Sequence, residues 1–445
     1  MKRRLAALLV PALGLWPGVA AARAADEKPA PPVQREEIAS PAAPGAAGAS
    51  LARAPDGTTW LSWVEPGPEG ENALRFATFD LAAKKWDAPG TIARGPSVTT
   101  SSADFPQLAL GPRGEAVALW TDGRGGAMVS SSHDRGARWN APGPFTRESG
   151  EVEKFSLAVL ADGRVLVAWL DGRGKKAGGK MEQLYARILG ASEPDTLLDP
   201  SVCDCCQTTL TAFLDGGALL AYRARTDEEV RDIRTVRFRG RSWDAPRPLS
   251  NDQWRINGCP INGPRLASDG GRVAAAGFTG ADRDPRVLAS YSPDAGIRFL
   301  MPLRVDRGRP IGHVDTLIMH DSALLVTWTE DDGSVWLRRI SPDFTTNEPV
   351  GLAPAGTVSA QTVPRVALVR DYAGGKTAAQ LIAVFASREK TATLHTVLVS
   401  VPEGELVEAE KNCDCAPTAE QLQGFSMRGG IAMIDRDAVT LSVRH

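Results

Sequence analysis

Short apolar strands alternate with polar turns along most of the chain. Stretches such as "PQLALGPRGEAVALWTDGRG" and "FSLAVLADGRVLVAWLDGRG" join two apolar runs through a turn of Asp, Gly or Arg. Two runs joined in this way predict a β-hairpin. The hairpins recur about every 50 residues with weaker strands between them, which predicts the four-stranded antiparallel blades of an all-β β-propeller. We count seven units, and six blades are the alternative if the first or last unit is incomplete.

The two ends of the chain differ in composition from these repeats. Residues 1–24 combine basic residues, a short apolar run and an Ala-Arg-Ala cleavage site, which is typical of a secretory signal peptide. Residues 25–46 are rich in Pro, Ala and Glu and predict a disordered linker. The β-propeller is therefore expected over residues 47–402, followed by a tail, 403–445, that carries a Cys-Asp-Cys motif.

The signal peptide and the net charge restrict location and partners. Cleavage of the signal peptide predicts a periplasmic or secreted protein. No membrane insertion is expected afterwards, because no later run is long and apolar enough to span a bilayer. The formal net charge of -2 gives no reason to expect nucleic acid as a partner.

Two of the turns carry a shared motif. "SHDRGARW", which ends at Trp139, fits Ser-x-Asp-x-Gly-x-x-Trp, and "SPDAGIRF" fits it with Phe299 in the last place. This motif is the Asp box, and residues 47–402 resemble the sialidase superfamily of BNR-repeat β-propellers. The resemblance implies a structural role for the box, between the third and fourth strands of a blade. It also implies that Trp139 and Phe299 are buried between blades.

The position of the Asp box orients the blades. The turn between the first and second strands shares the face of the box, which we call the Asp-box face. The second-to-third-strand loops and the connections between blades open on the opposite face, which we call the site face. Sialidase-like β-propellers place their site there. The candidates for ligand binding on this face are Asp122, Arg124, Asp171, Arg173, Arg223, Arg265, His313, Asp315 and Arg365.

A glycoside hydrolase of the exo-α-sialidase type is the enzymatic alternative. For that activity the resemblance implies three arginines around a carboxylate, a tyrosine nucleophile paired with a glutamate, and an acidic residue. The early arginine motif of the family is missing, so no catalytic residue is assigned, and the candidates are Tyr222, Glu153 and Asp104. We therefore expect a binding or scaffold protein that takes a glycan, small-molecule or protein ligand on the site face without cleaving it.

Six cysteines are expected to form one cluster on the site face. They precede the inner strands of the fourth and fifth units or follow the last blade: Cys203, Cys205, Cys206, Cys259, Cys413 and Cys415. In an oxidising compartment they predict disulfides, with at least one of the first three bridged to Cys259 or to the tail pair. The alternatives are redox chemistry and a thiolate site for a soft metal, either copper or zinc.

The end of the tail bears on the metal alternative. Its sequence "MRGGIAMIDRDAVTLSVRH" resembles the opening strands of small periplasmic copper-chaperone barrels. This resemblance implies a second alternative function, the handling of copper or another soft metal.

Overall fold

The computed structural model describes residues 33–67, 70–146, 151–371 and 378–401, and their strands form seven antiparallel sheets. Helix in these residues is limited to α1 (Arg173–Lys176), a 3-10 turn at Ala281–Arg283 and a 3-10 residue at Gly70. The prediction of a seven-bladed all-β β-propeller is therefore confirmed. The signal peptide and the tail from residue 403 lie outside the described residues, as do Cys413 and Cys415.

The chain begins with β1 (Gln34–Ile38) and then forms the blades in order, each from its inner strand outward. Blade 1 contains β2 (Ala47–Arg53), β3 (Thr59–Pro66) and β4 (Asn72–Asp80), with β5 (Lys85–Trp86) and β6 (Gly90–Gly95) both paired to β4. Blade 2 contains β7 (Gln107–Leu110), β8 (Ala116–Thr121), β9 (Ala127–Ser132) and β10 (Gly143–Pro144). Blade 3 contains β11 (Val152–Val159), β12 (Val165–Asp171), β13 (Glu182–Ile188) and β14 (Thr196–Val202).

The later blades follow the same order. Blade 4 contains β15 (Thr209–Ala212), β16 (Ala218–Arg223), β17 (Ile233–Phe238) and β18 (Arg247–Pro248). Blade 5 contains β19 (Arg265–Asp269), β20 (Arg272–Thr279), β21 (Arg286–Ser292) and β22 (Leu303–Arg304). Blade 6 contains β23 (Pro310–Ile318), β24 (Leu324–Glu330), β25 (Val335–Ile340) and β26 (Val350–Ala353). Blade 7 contains β27 (Arg365–Arg370), β28 (Ala379–Ala386) and β29 (Leu394–Val401).

The N-terminal strand completes blade 7. Strand β1 pairs antiparallel with β29, with Gln34 opposite Ser400 and Ile38 opposite Thr396. The sequence assigned this segment to a disordered linker, and that prediction is wrong for β1. Four of its five side chains are exposed and only Ile38 is buried, so the segment has no apolar pattern. Its order comes from backbone pairing with an edge strand that would otherwise be open.

The first strands of successive blades touch in a closed ring that runs from β2 through β27 and back to β2. The second strands are buried along almost their whole length, because each packs between two neighbouring blades. Their largest side chains are the fully buried Trp63, Trp120, Trp169 and Trp328. In blades 1, 3 and 6 the indole N–H donates to a carboxylate two residues later. The core therefore lies between blades.

The Asp boxes lie in the β9–β10 and β21–β22 turns, between third and fourth strands. In the first box, Asp134 accepts the backbone N–H of Arg138 at 2.9 Å, and the backbone N–H of Arg135 donates to Gly114 in the β7–β8 turn. First-to-second-strand turns therefore share the Asp-box face. Trp139 packs against Phe76 of blade 1, with ring centroids 5.9 Å apart, and Phe299 packs between blades 4 and 5. Both aromatic side chains are half-buried at these interfaces.

Candidate functional site

The candidates in the second-to-third-strand loops stabilise their own turns. Asp122 accepts the backbone N–H groups of Arg124 and Gly126, and the Arg124 side chain is exposed. Asp171 is fully buried and accepts the indole N–H of Trp169, the backbone N–H of Arg173 and its guanidinium. These carboxylates are already satisfied within their blades.

Asp104 and Glu153 share one buried lysine. Lys154 lies at the start of blade 3, and its Nζ lies 2.8 Å from Asp104 Oδ2 and 2.5 Å from Glu153 Oε2. Burial would lower the pKa of Lys154, but the two carboxylates outweigh it and raise that pKa. The cluster joins blades 2 and 3, and sequence reasoning did not identify Lys154.

Another carboxyl near this cluster, that of Glu182, has a raised pKa. Glu182 begins β13, is 3% exposed, and its Oε1 accepts from Lys175 Nζ at 3.0 Å. Burial raises the pKa of Glu182 to about 7, although Lys175 opposes the shift. Its Oε2 has no hydrogen-bond partner among the described residues. Nothing in the sequence around Glu182 distinguishes it from an exposed strand glutamate.

Arg223 ties blades 4 and 5 together. It is 2% exposed, and its guanidinium donates to the carbonyl oxygens of Asn262, Arg231 and Phe278 at 2.6 to 3.0 Å. The guanidinium carbon also lies 4.9 Å from the ring centroid of Trp254. All three nitrogen atoms of this arginine are therefore occupied by the fold itself.

His313 lies where blades 5, 6 and 7 meet. Its backbone N–H donates to Asn262 Oδ1 at 2.7 Å, and its Nε2 lies 2.8 Å from the carbonyl oxygen of Ala360. A carbonyl can only accept, so Nε2 carries the proton. Burial lowers the pKa of His313, which keeps the ring neutral. Its Nδ1 is buried and has no partner in the described part of the chain.

Three side chains from blades that are not neighbours meet at the axis. Phe105 precedes the inner strand of blade 2, Arg265 begins that of blade 5, and Arg365 begins that of blade 7. The guanidinium carbons of Arg265 and Arg365 lie 5.7 Å and 4.2 Å from the centroid of the Phe105 ring. Only across the central channel can these blades touch. We call Phe105, Arg265, Arg365 and Asp315 the axial cluster.

The axial cluster contains two guanidinium groups and one carboxyl group. Arg265 Nε lies 3.9 Å from Asp315 Oδ1, and Asp315 Oδ2 accepts the backbone N–H of Val366 at 3.0 Å. Burial raises the pKa of Asp315, although Arg265 opposes the shift. Arg365 is 3% exposed, and its Nε, Nη1 and Nη2 all lack a hydrogen-bond partner among the described residues. The cluster therefore holds a buried, unpaired positive charge.

The tyrosine candidate lies away from this channel. Tyr222 is fully buried in the core between blades 3 and 4, and its hydroxyl donates to Asp199 Oδ2 at 2.5 Å. Burial and the Asp199 carboxylate raise the pKa of Tyr222 far above its usual value. Its partner is an aspartate in the blade interface and its hydroxyl does not face the axial cluster. The structure thus does not bring Tyr222 together with Glu153 and Asp104.

Four cysteines do come together on the site face. Cys205 and Cys259 form a disulfide, which is one of the pairings that the sequence predicts. Cys203 and Cys206 are free thiols with their sulfur atoms 2.8 Å apart. The Sγ atoms of Cys203, Cys205 and Cys206 lie within 4.8 Å of one another. A soft metal ion could use all three only if Cys205 left its bridge.

The two free thiols have opposite acidities. The Cys206 thiol and the backbone N–H of Cys205 lower the pKa of Cys203 to about 6, and the guanidinium groups of Arg223 and Arg231 act in the same direction. Burial raises the pKa of Cys206, and the neighbouring Cys203 thiolate adds to this. Cys203 is therefore the thiolate of the pair at neutral pH.

Sequence reasoning missed Phe105, although a signal was present. The segments "FPQLA", "GPRLA" and "VPRVA" all enter an inner strand with the pattern x-Pro-(Arg or Gln)-(Leu or Val)-Ala. The last two contain Arg265 and Arg365, and the first contains Phe105. Aligning all three would have placed Phe105 at the mouth of the same channel.

An open cleft of about 580 Å³ lies on the opposite face, between turns of blades 3 and 4. Two arginines of the cleft are paired locally, Arg164 with Asp162 at 2.7 Å and Arg239 with Asp244 at 2.7 Å. Arg241 also lines this cleft and is exposed. The cleft has no buried unpaired charge like that of Arg365 among its lining residues.

Comparisons with known proteins identify the fold. No protein-family model matches this sequence, and no curated protein sequence is detectably similar to it. The structure is similar to the BP39L lectin from Burkholderia pseudomallei, at 12% identity and a TM-score of 0.55, over 79% of this chain and 97% of the lectin. At this identity the similarity concerns the fold alone.

Two further solved structures match less closely. The β-propeller domain of the Trilobed protease from Pyrococcus furiosus is 11% identical, with a TM-score of 0.44, over 79% of this chain and 95% of that one. The Hadza microbial sialidase Hz136 is 14% identical, with a TM-score of 0.41, over 64% and 63%. In the described residues no helix is long and apolar enough to cross a membrane. With its seven four-stranded blades and two Asp boxes, the chain has the fold of a sialidase-like β-propeller.

Proposed function

We propose that this chain is an exported β-propeller that binds an acidic ligand at the axial cluster of its site face and does not cleave it. The observation that carries the proposal is the buried Arg365 guanidinium, whose three nitrogen atoms have no partner in the described residues. Burying a charge without a partner is unfavourable by several kcal/mol. Such a group is expected to have a counter-ion from outside the chain.

The chemistry of the axial cluster favours an oxyanion, and in particular a carboxylate. A planar guanidinium presents parallel N–H donors that match the two oxygen atoms of a carboxylate. The Arg365 guanidinium carbon lies over the Phe105 ring at 4.2 Å from its centroid, and the three guanidinium nitrogen atoms have no partner among the described residues, so their N–H donors are available to a ligand. Arg265 adds a second positive charge beside the same ring. The lectin that shares the fold makes an acidic glycan the first ligand class to test.

Binding without hydrolysis is supported by where the tyrosines lie. The Tyr222 hydroxyl donates to Asp199 in the blade interface, and the Tyr185 ring lies beneath the Arg173 guanidinium at 4.2 Å. Tyr291 lies near the end of β21, directly before the second Asp box. None of these three presents its hydroxyl to the axial cluster. Export rests on the signal-peptide pattern of residues 1–24.

The test is thermal unfolding of the mature full-length protein with glucuronate and, as the neutral control, glucose. We expect glucuronate alone to raise the Tm, because a ligand at about 100 times its Kd stabilises by about 2.7 kcal/mol. Arg365→Met should abolish the response, and Arg241→Gln in the opposite cleft should keep it. Equal responses to both sugars, or a response retained by Arg365→Met, would contradict the proposal.

Hydrolysis is assayed separately with a fluorogenic sialoside. We expect no release of the fluorophore by the wild-type protein. Release that Arg365→Met abolishes would instead establish the hydrolase alternative.

A further inference from the structure

The four cysteines of the site face differ in their exposure to solvent. Cys203 and Cys206 are each 1% exposed, Cys205 is half-buried, and Cys259 is exposed. The free pair therefore lies at the bottom of the group, and the disulfide connects it to the surface through Cys259. The Cys203 sulfur lies 3.8 Å from that of Cys205 and 2.8 Å from that of Cys206.

The charges around Cys203 favour a thiolate rather than a metal cation. Arg231 Nη1 lies 3.4 Å from Cys203 Sγ, and Arg231 is 2% exposed. The other guanidinium nitrogen of Arg231 pairs with Glu229 at 2.7 Å, which holds the arginine in place. A fixed buried guanidinium stabilises an adjacent thiolate and opposes a cation at the same sulfur. The position of Cys203 is thus that of a nucleophile.

We propose that Cys203, Cys205, Cys206 and Cys259 form a thiol–disulfide exchange unit, in which the buried Cys203–Cys206 dithiol passes two electrons to an external disulfide through Cys259. The geometry places a thiolate beside one sulfur of a disulfide whose other sulfur faces solvent. Exchange of this kind proceeds by attack of a thiolate on a disulfide sulfur. This function is separate from ligand binding at the axial cluster.

Two internal steps move the disulfide inward without any outside reagent. In the first, the Cys203 thiolate attacks Cys205 Sγ; a Cys203–Cys205 bond forms, the Cys205–Cys259 bond breaks, and Cys259 leaves as a thiolate. In the second, Cys206 loses its proton and attacks Cys203 Sγ. A Cys203–Cys206 bond forms, the Cys203–Cys205 bond breaks, and Cys205 leaves as a thiolate that takes up a proton. The product is an isomer with the same number of electrons.

The third step is the redox step, and its oxidant is an external disulfide. Cys259 as thiolate attacks that disulfide and forms a mixed disulfide, releasing one external thiol. Cys205 then attacks Cys259 Sγ, restores the Cys205–Cys259 bond and releases the second thiol. In sum, the Cys203 thiolate and the Cys206 thiol lose one proton and two electrons. The external disulfide takes up the two electrons, that proton and one proton from water, and becomes two thiols.

The first test traps the product of the first internal step. Cys206→Ser removes the resolving thiol, so the exchange should stop at a Cys203–Cys205 bond with Cys259 free. The purified full-length variant is incubated with iodoacetamide, digested without reduction and analysed by mass spectrometry. Cys259 lies on tryptic peptide 256–265, separate from 188–223 and from 412–428, which carry the other cysteines. We expect alkylation of Cys259 in most of the chains, because alkylation is irreversible and pulls the exchange forward.

The matched control is Cys203→Ser, which lacks the nucleophile. It should keep the Cys205–Cys259 bridge, with Cys259 unalkylated over the same period. Equal alkylation of Cys259 in both variants would overturn the proposal, since Cys203 would then play no part.

The second test uses the wild-type protein and so does not depend on any variant folding. Oxidised glutathione is the probe, and the disulfides are mapped by fragmentation of peptide 188–223. We expect the Cys203–Cys206 bond to appear with release of two equivalents of reduced glutathione, while the Cys205–Cys259 bond is retained. A Cys203–Cys206 pair that stays reduced, or one that yields stoichiometric copper or zinc by elemental analysis, would refute the exchange unit.

Discussion

Arg223 and Arg365 are both buried arginines at the edge of the site face, and their surroundings are opposite. Arg223 is 2% exposed and donates to three carbonyl oxygens, whereas Arg365 is 3% exposed and donates to none of the described residues. Each also lies against one aromatic ring, Trp254 or Phe105. The two arginines are equally buried, but only Arg223 has its hydrogen bonds made by the described residues. This difference separates a residue that stabilises the fold from one that is placed for a ligand.

The largest effect is expected where the satisfied arginine is removed. Arg223→Met leaves the carbonyl oxygens of Asn262, Arg231 and Phe278 without their donor in the junction of blades 4 and 5. We expect a loss of about 3 to 5 kcal/mol in the free energy of unfolding, measured by urea denaturation. A loss below about 1 kcal/mol would show that water replaces the guanidinium easily, and that Arg223 does not stabilise the fold through these hydrogen bonds.

Glu182 extends the comparison to an acidic group. Its pKa is raised to about 7 in the folded state, mainly by burial, so the folded protein binds its proton more tightly than the unfolded chain does. Stability should therefore be fully retained below about pH 4.5 and should decrease by about 2 to 3 kcal/mol as the pH rises to about 7.

Glu182→Gln provides the control for this pH dependence. The amide does not titrate, so the decrease in this window should disappear when urea denaturation is repeated at several pH values. An unchanged pH profile would mean that Lys175 keeps Glu182 ionised, and that its pKa is not raised.

The unpaired arginine should respond in the opposite sense from Arg223. Arg365→Met removes a buried charge that has no partner in the described part of the chain, and it leaves an apolar side chain against Phe105. Without ligand, we expect the free energy of unfolding to increase by about 1 to 2 kcal/mol. Destabilisation as large as that of Arg223→Met would show that the fold already satisfies Arg365.

The smallest effect is expected at an exposed arginine of the same face. Arg124 has an exposed side chain, and only its backbone N–H is used in the turn, by Asp122. Arg124→Ala should therefore change the free energy of unfolding by less than about 0.5 kcal/mol. The response of the Tm to glucuronate should also be unchanged, and a weakened response would extend the ligand site beyond the axial cluster.

The repeat of hairpins and the two Asp boxes were sufficient to predict the blades and their orientation. The blades can be predicted because each one has its own alternation of apolar strands and polar turns in a short stretch of sequence. Strand β1 was missed because its pairing partner, β29, lies more than 350 residues later and its own side chains are exposed. Ring closure is a property of the whole chain and leaves no local pattern.

The same limit applies to the site. Arg265 and Arg365 occupy equivalent positions in "GPRLA" and "VPRVA". Among the described residues, however, only Arg265 has a carboxylate within 4 Å, that of Asp315 at 3.9 Å. What each one meets depends on the blades across the axis, which the local sequence does not specify. The disulfide pairing also depends on a neighbouring blade. The sequence left several partners open for Cys205, and the adjacent blade determines that it pairs with Cys259.

Ligand binding at the axial cluster requires that Arg365 take its partner from outside the chain. A crystal structure of the mature protein grown with excess glucuronate tests this directly. We predict electron density for a carboxylate with two oxygen atoms at about 2.8 Å from the guanidinium nitrogens of Arg365, above the Phe105 ring. An empty channel in which Arg365 has turned to pair with Asp315 would contradict the account.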